Sequence, residues 1–116
     1  MHIHITPRHL HMTSSIHAYV VSKLSNLEKI ENHILAAHVV LWHDETALPK
    51  KAFKVKVHIA IPGPDVHAEE ADSDLYACID EVYEKLEVQL RKQKTRRQDR
   101  KRATFRLKKE APRRTR

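Results

Sequence analysis

The sequence predicts an α+β fold of order β-α-β-β-β-α, a four-stranded sheet with two helices packed on one face, and three patterns predict it. Phe53, Val55, Val57, Ile59 and Ile61 alternate with Lys54, Lys56, His58 and Ala60, as in a strand with one buried face. Ile16, Val20, Leu24 and Leu27 recur at helical spacing. Leu75, Ile79, Val82, Leu86 and Leu90 do so again, forming one apolar seam along a second helix. One core between a sheet and two helices buries every one of these faces.

The remaining elements follow from local chemistry. His2 to Thr6 alternates, with Ile3 and Ile5 on one side and His2 and His4 on the other, and Pro7 is expected to end this first strand. Thr13 or Ser14 is placed to cap the first helix, with Lys23 at the edge of its apolar stripe, where a long side chain covers apolar surface and keeps its charge in water. Strand character resumes at about Ile34 and continues through Trp42. His43 to Lys51, with Pro49 inside it, reads as a loop. Pro62, Gly63 and Pro64 turn the chain into a fourth strand over Asp65 to Ala71. Asp72, Ser73 and Asp74 supply a cap and negative charge at the start of the long helix.

A chain of 116 residues holds one modest core plus at most a tail. Its net charge of +7 is unevenly distributed, with −5 over Met1 to Leu90 and +12 over Arg91 to Arg116. Residues 1–94 are therefore expected to form the folded domain, and 95–116 a basic helix extension that passes beyond Arg102 into a disordered tail. This asymmetry points to nucleic acid ahead of anionic lipid. The tail has only Phe105 and Leu107 as bulky apolar residues, and no stretch has the length of a membrane span or the core of a signal peptide, so no membrane partner is expected. The lone Cys78 has no internal disulfide partner and reads as an ordinary buried thiol, in keeping with a cytoplasmic setting.

The long helix carries the strongest functional signal. Lys85, Gln89, Lys92, Arg96 and Arg100 repeat on one flank of its apolar seam, with Arg91, Lys94, Arg97, Lys101 and Arg102 nearby. Asp80, Glu81, Glu84 and Glu87 are assigned to the back of the helix. A charge run is often only a solvated face, but like charges at helical spacing repel, and a polyanion relieves that repulsion while releasing counterions. RNA contact along the stripe is the favoured reading, with the tail adding nonspecific phosphate affinity. Tyr76 and Tyr83 could stack on bases, but core or edge packing on the flank of the seam, with the hydroxyl in water, is at least as good a reading.

Ten histidines raise the possibility of a metal. His2 with His4, and His9 with His11, have the spacing that puts two imidazoles on one strand face, yet no Cys or carboxylate joins them at a zinc spacing. We therefore expect no metal and no other cofactor, and prefer a pH-sensitive contribution to RNA affinity. Glu69, Glu70, Asp72 and Asp74 could suggest a cation site, but capping and the helix dipole account for the last two.

Ile16, Val20, Lys23, Leu24, Leu27, Glu28 and Lys29, then His67 and Ala68, then Asp74, Tyr76, Ala77, Ile79 and Asp80 followed by Lys85, Leu86, Gln89, Leu90 and Lys92, give the chain a family likeness. In these residues it resembles the bacterial ribosome hibernation promoting factors, a group that includes ribosome-associated inhibitor A and was once described as sigma-54 modulation proteins. The likeness spans roughly Met1 to Lys94 and is most specific from Asp74 to Lys92. It implies the same β-α-β-β-β-α fold and a non-enzymatic, cytoplasmic translation inhibitor of resting or stressed cells, as in stationary phase. Its partner would be the 16S-type rRNA of the small ribosomal subunit, where it would occupy the channel of messenger and transfer RNA. Carried over by position, Lys23, Lys29, Lys85 and Lys92 match basic positions of the family; Gln89, Arg91, Arg96, Arg97 and Arg100 extend the expected RNA-binding set from the stripe itself. His17 and Val88 stand where relatives carry Arg, which implies weaker contact there or one supplied otherwise. The tail is neither absent nor acidic, and the expectation is a short form, monomeric when free, without the C-terminal dimerisation domain of long members. A general double-stranded RNA-binding module is the alternative reading, and a His-dependent metalloenzyme a distant third.

Overall fold

The computed structural model describes the backbone of residues 1–114, and side chains through Arg96 together with those of Gln98 and Arg102. The architecture is the predicted one. β1 (His2–Arg8), α1 (Ser14–Ile30), β2 (Ala36–His43), a 3-10 turn (Pro49–Lys51), β3 (Phe53–Ala60), β4 (Val66–Asp72) and α2 (Leu75–Arg114) follow in that order. The strands lie side by side in chain order. β1 runs parallel to β2, which the helical crossover through α1 permits, and the other two pairs are antiparallel.

Both helices start where their capping residues stand. The Thr13 hydroxyl accepts the Ile16 N–H at 3.1 Å, satisfying one of the unpaired donors in the first turn of α1. Thr13→Ala is accordingly expected to lower stability by about 1 kcal/mol, seen as a lower urea midpoint at unchanged slope. At α2 the carboxylates act in series. Asp72 accepts from the Asp74 N–H and Asp74 from the Tyr76 N–H, each at 3.1 Å. Gly63, at φ +94°, takes the left-handed conformation that the β3–β4 turn requires.

One expectation about β1 is corrected. The strand does not end at Pro7 but runs through it to Arg8, because β1 is an edge strand that has a ladder partner on one side only and so tolerates a missing N–H. The second histidine pair is corrected too. His9 lies past the end of β1 at φ +52°, in the left-handed region, so His9 and His11 do not share a strand face.

The core lies between the helices and one face of the sheet. Ile16, Val20, Leu24 and Leu27 of α1 and all five seam residues of α2 are buried against Val39, Leu41, Val55, Val57 and Ile59. Cys78 is wholly buried, its Sγ 3.2 Å from the Glu70 carbonyl, and burial pushes the thiol up to about 11, as expected of an inert core cysteine. Tyr83 is also buried, so its hydroxyl is not in water as the sequence suggested. That hydroxyl has no hydrogen-bond partner among the described residues, and burial raises its pKa. Among the described residues, packing of α2 into the core ends at Leu90, while the helix itself continues to Arg114, so the segment beyond Arg102 is helical through Arg114 and not the disordered tail expected. The side chains of Arg97 and Arg100 lie outside the described residues.

Candidate nucleic-acid interface

The two helices run in the same direction. Tyr19 and Lys23 of α1 meet Asp80 in the second turn of α2, and Ile30 at the end of α1 meets Lys94 much further along α2. Tyr19 donates its hydroxyl to the Asp80 carboxylate at 2.5 Å, and the Lys23 ammonium reaches the same oxygen at 3.0 Å. The Tyr19 hydrogen bond, then Lys23, hold the Asp80 carboxyl below the usual carboxylate range. Asp80 in turn holds the Lys23 ammonium above its ordinary value. Asp80 is therefore not on the back of α2, and neither are Glu84 and Glu87, which line a cleft facing α1. Asp80 follows the seam residue Ile79 by one position, about 100° around the helix, and that rotation turns it toward α1.

This cleft of about 390 Å³ separates the helices, lined by the cations Lys23, Lys29 and Arg91 and the carboxylates Asp80, Glu84 and Glu87, with Asn26 and Tyr83 among the others. Lys29 is exposed at its end, and Arg91 forms an i,i+4 ion pair with Glu87 at 2.9 Å. Lys94 donates to the Ile30 carbonyl at 3.3 Å, where unpaired carbonyls and the negative end of the α1 dipole favour a cation. The sequence reading left Lys94 out of the candidate set. A last-turn carbonyl is a general lysine site, but which lysine reaches it depends on how α1 and α2 pack.

The other flank of α2 is stapled to β4. Lys85 is ion-paired with Glu70, Gln89 donates its amide to the His67 carbonyl at 2.8 Å, and Gln93 donates to the Pro64 carbonyl at 3.1 Å. Lys92 and Arg96, on the same flank, are exposed. The expected stripe thus divides. Lys85 and Gln89 hold the helix on the sheet, whereas Lys92 and Arg96 stand free above it. Lys23, Lys29 and Arg91 gather on the α1 side, with Lys23 and Arg91 already balanced by carboxylates.

That balance gives a testable consequence. Asp80→Asn removes an anion from the cleft and releases Lys23, so RNA affinity is expected to rise several-fold at low salt, with a stability loss of about 1 kcal/mol or less. Filter binding over a salt series checks it, and weaker binding would show that Asp80 holds Lys23 in a productive position.

Tyr76 packs edge-on against Tyr19 with ring centroids 5.0 Å apart and remains exposed. Among the described residues no three His, Cys, Asp or Glu side chains are placed to hold a metal ion, and no helix is long and apolar enough to cross a membrane.

Comparison with known proteins converges on one group. A family model described as "Sigma 54 modulation protein / S30EA ribosomal protein" matches residues 3–98. A ribosome hibernation promotion factor of Deinococcus radiodurans is 36% identical over 92 residues, covering 79% of this chain and 48% of that protein. The chain thus spans about half the length of that relative. A ribosome hibernation promoting factor of Pseudomonas putida is 32% identical over 98 residues, covering 84% of this chain and 91% of the relative. Among solved structures, the Thermus thermophilus protein Y N-terminal domain superposes with a TM-score of 0.67 at 34% identity, over 79% of this chain and 98% of that one. A ribosomal subunit interface protein from Coxiella burnetii superposes with a TM-score of 0.71 at 24% identity, over 82% of this chain and 99% of that one, a likeness of fold.

Proposed function

Because the chain belongs to the sigma 54 modulation protein / S30EA ribosomal protein family, a family of non-enzymatic ribosome-binding proteins, we propose that it is a cytoplasmic hibernation factor that silences translation in resting or stressed cells. It binds as a monomer to 16S-type rRNA of the small subunit and occupies the channel that messenger and transfer RNA would use. The observation that carries this reading is the exposed set Lys29, Lys92 and Arg96, which no ion pair among the described residues claims, beside the cleft between parallel helices. The names of the Deinococcus and Pseudomonas relatives support it.

The mechanism is occlusion. A rigid domain presents fixed cations to phosphates and excludes other ligands by its volume, so no transition state is involved. Residues 95–116, including Arg97 and Arg100, act as a basic extension of the domain, its backbone helical through Arg114, that adds phosphate contacts. Removing 95–116 lowers affinity and the salt slope but leaves channel binding in place.

Sedimentation with ribosomal subunits at near-physiological salt, challenged with excess tRNA or with duplex RNA, tests the proposal. Stoichiometric comigration with the small subunit, lost to tRNA but not to duplex, is expected. Displacement by either RNA alike would replace it with a general double-stranded RNA-binding module.

A further inference from the structure

The face of the sheet opposite the helices carries a feature that ribosome docking through the helices does not use. His4 of β1 lies opposite His38 of β2, His38 opposite His58 of β3, and His58 opposite His67 of β4. Four exposed imidazoles thus form one row across all four strands. The His4 and His38 rings stack at 4.8 Å between centroids, 7° from parallel, and those of His58 and His67 lie 6.3 Å apart, 11° from parallel.

The charged groups around this row are nearly balanced. Arg8, Lys54 and Lys56 belong to the open face by strand alternation, and His2 lies one step from the row along β1. Asp44 pairs with Lys54 at 3.0 Å, Asp65 contacts the His58 ring at 2.8 Å, and Glu69 is in register with Lys56. The helices pack on the other face, and among the described residues no ion pair joins them to the row; the Gln89 amide of α2 donates to the backbone carbonyl of His67. Three cations therefore face three anions while the imidazoles are neutral. Histidine is the side chain whose ordinary titration falls between about pH 5 and 8, so a row of imidazoles is the chemistry by which a surface gains positive charge as pH falls.

We propose that the open face of the sheet is a second RNA-contact surface, engaged through phosphate groups when the imidazole row is protonated. Imidazolium rings on adjacent strands repel one another in the free protein, and a polyanion laid across them removes that repulsion. A metal suits the row less well. Parallel stacking turns ring faces toward each other, whereas a shared ion needs the ring nitrogens to converge, and no triad of ligands is assembled among the described residues. The proposal takes RNA as the ligand from the function above but uses a different face of the domain.

Calorimetry of the full chain with a short RNA hairpin, at about pH 6 and about pH 8 and in buffers of different ionisation enthalpy, tests it. Affinity about tenfold or more higher at the lower pH, with net proton uptake and a steeper salt dependence, is expected. The variant H4Q/H38Q/H58Q/H67Q should lose most of that gain, and H38Q alone should lower the proton uptake measurably. The off-row control H9Q/H11Q/H17Q/H33Q should keep the gain. All four row side chains are exposed, so glutamine leaves the core untouched, and matching melting curves at the higher pH confirm it. An equal gain in the row variant and the parent, or no proton uptake by the parent, overturns the proposal. A chain that fails to bind small subunits yet shows the row-dependent gain would sink the hibernation reading and leave this one standing.

Discussion

Replacing Ile79 by Asp unfolds the domain. The side chain is wholly buried on the seam of α2. Truncating such an aliphatic residue costs about 2–5 kcal/mol through lost transfer energy and the cavity left behind. An unpaired carboxylate in the same place adds several kcal/mol more, or must take up a proton to remain. A domain of this size has about 5–15 kcal/mol in total, so the sum exhausts it. Circular dichroism at 25 °C should show lost secondary structure and no cooperative melt. Ile79→Val, costing about 0.5–1.5 kcal/mol, should melt cooperatively at a lower temperature. A folded Asp variant would mean that α2 does not use this seam to pack.

The architecture was legible because its signals are periodic. A two-residue alternation in Phe53 to Ile61 and three- and four-residue steps in both helices are one-dimensional patterns, and each residue they assigned to the core of the helices is buried. Capping was legible for the same reason, since Thr13 and Asp74 act on donors two or three residues ahead. The errors arose where distance along the chain does not measure distance in space. Pro7 was read as a stop because a sequence does not show that β1 lies at an edge. Lys85 looked equivalent to Lys92 because both recur on one flank of a helix. Glu70, which claims the first of them, belongs to a strand whose placement the helix pattern does not contain.

The histidines make the same point. His2 and His4 can be paired by spacing alone, but the row through His38, His58 and His67 depends on the register of three strand pairs. A shift of one residue in any pair would send at least one imidazole to the other face from its neighbours and break the row. The set of contacts that could bind a ligand was therefore only partly legible, and most so in the part where no tertiary partner intervenes, Lys92 and Arg96.

Those two residues give the second large effect. Lys92→Glu with Arg96→Glu reverses two exposed charges one helical turn apart, just beyond the last buried seam residue, Leu90. Each cation that meets a phosphate contributes a salt slope of about 0.7–0.9, so losing both should flatten the slope by about 1.4–1.8. With repulsion replacing attraction, ribosome affinity should fall on the order of 100-fold at about 0.1 M salt. Stability should hardly change, because neither side chain packs in the core and exposed pairs contribute about 1 kcal/mol or less. Lys85→Glu is the contrasting variant. It sets a carboxylate beside Glu70, where the wild type has an ion pair, and should lower the melting temperature more than Lys92→Glu with Arg96→Glu does. If Lys85→Glu instead abolished binding with an unchanged melt, the β4 side of α2 would be the docking surface and the cleft on the α1 side would not. Parallel melts and salt-dependent sedimentation on the two variants separate residues that hold α2 in place from those that meet RNA.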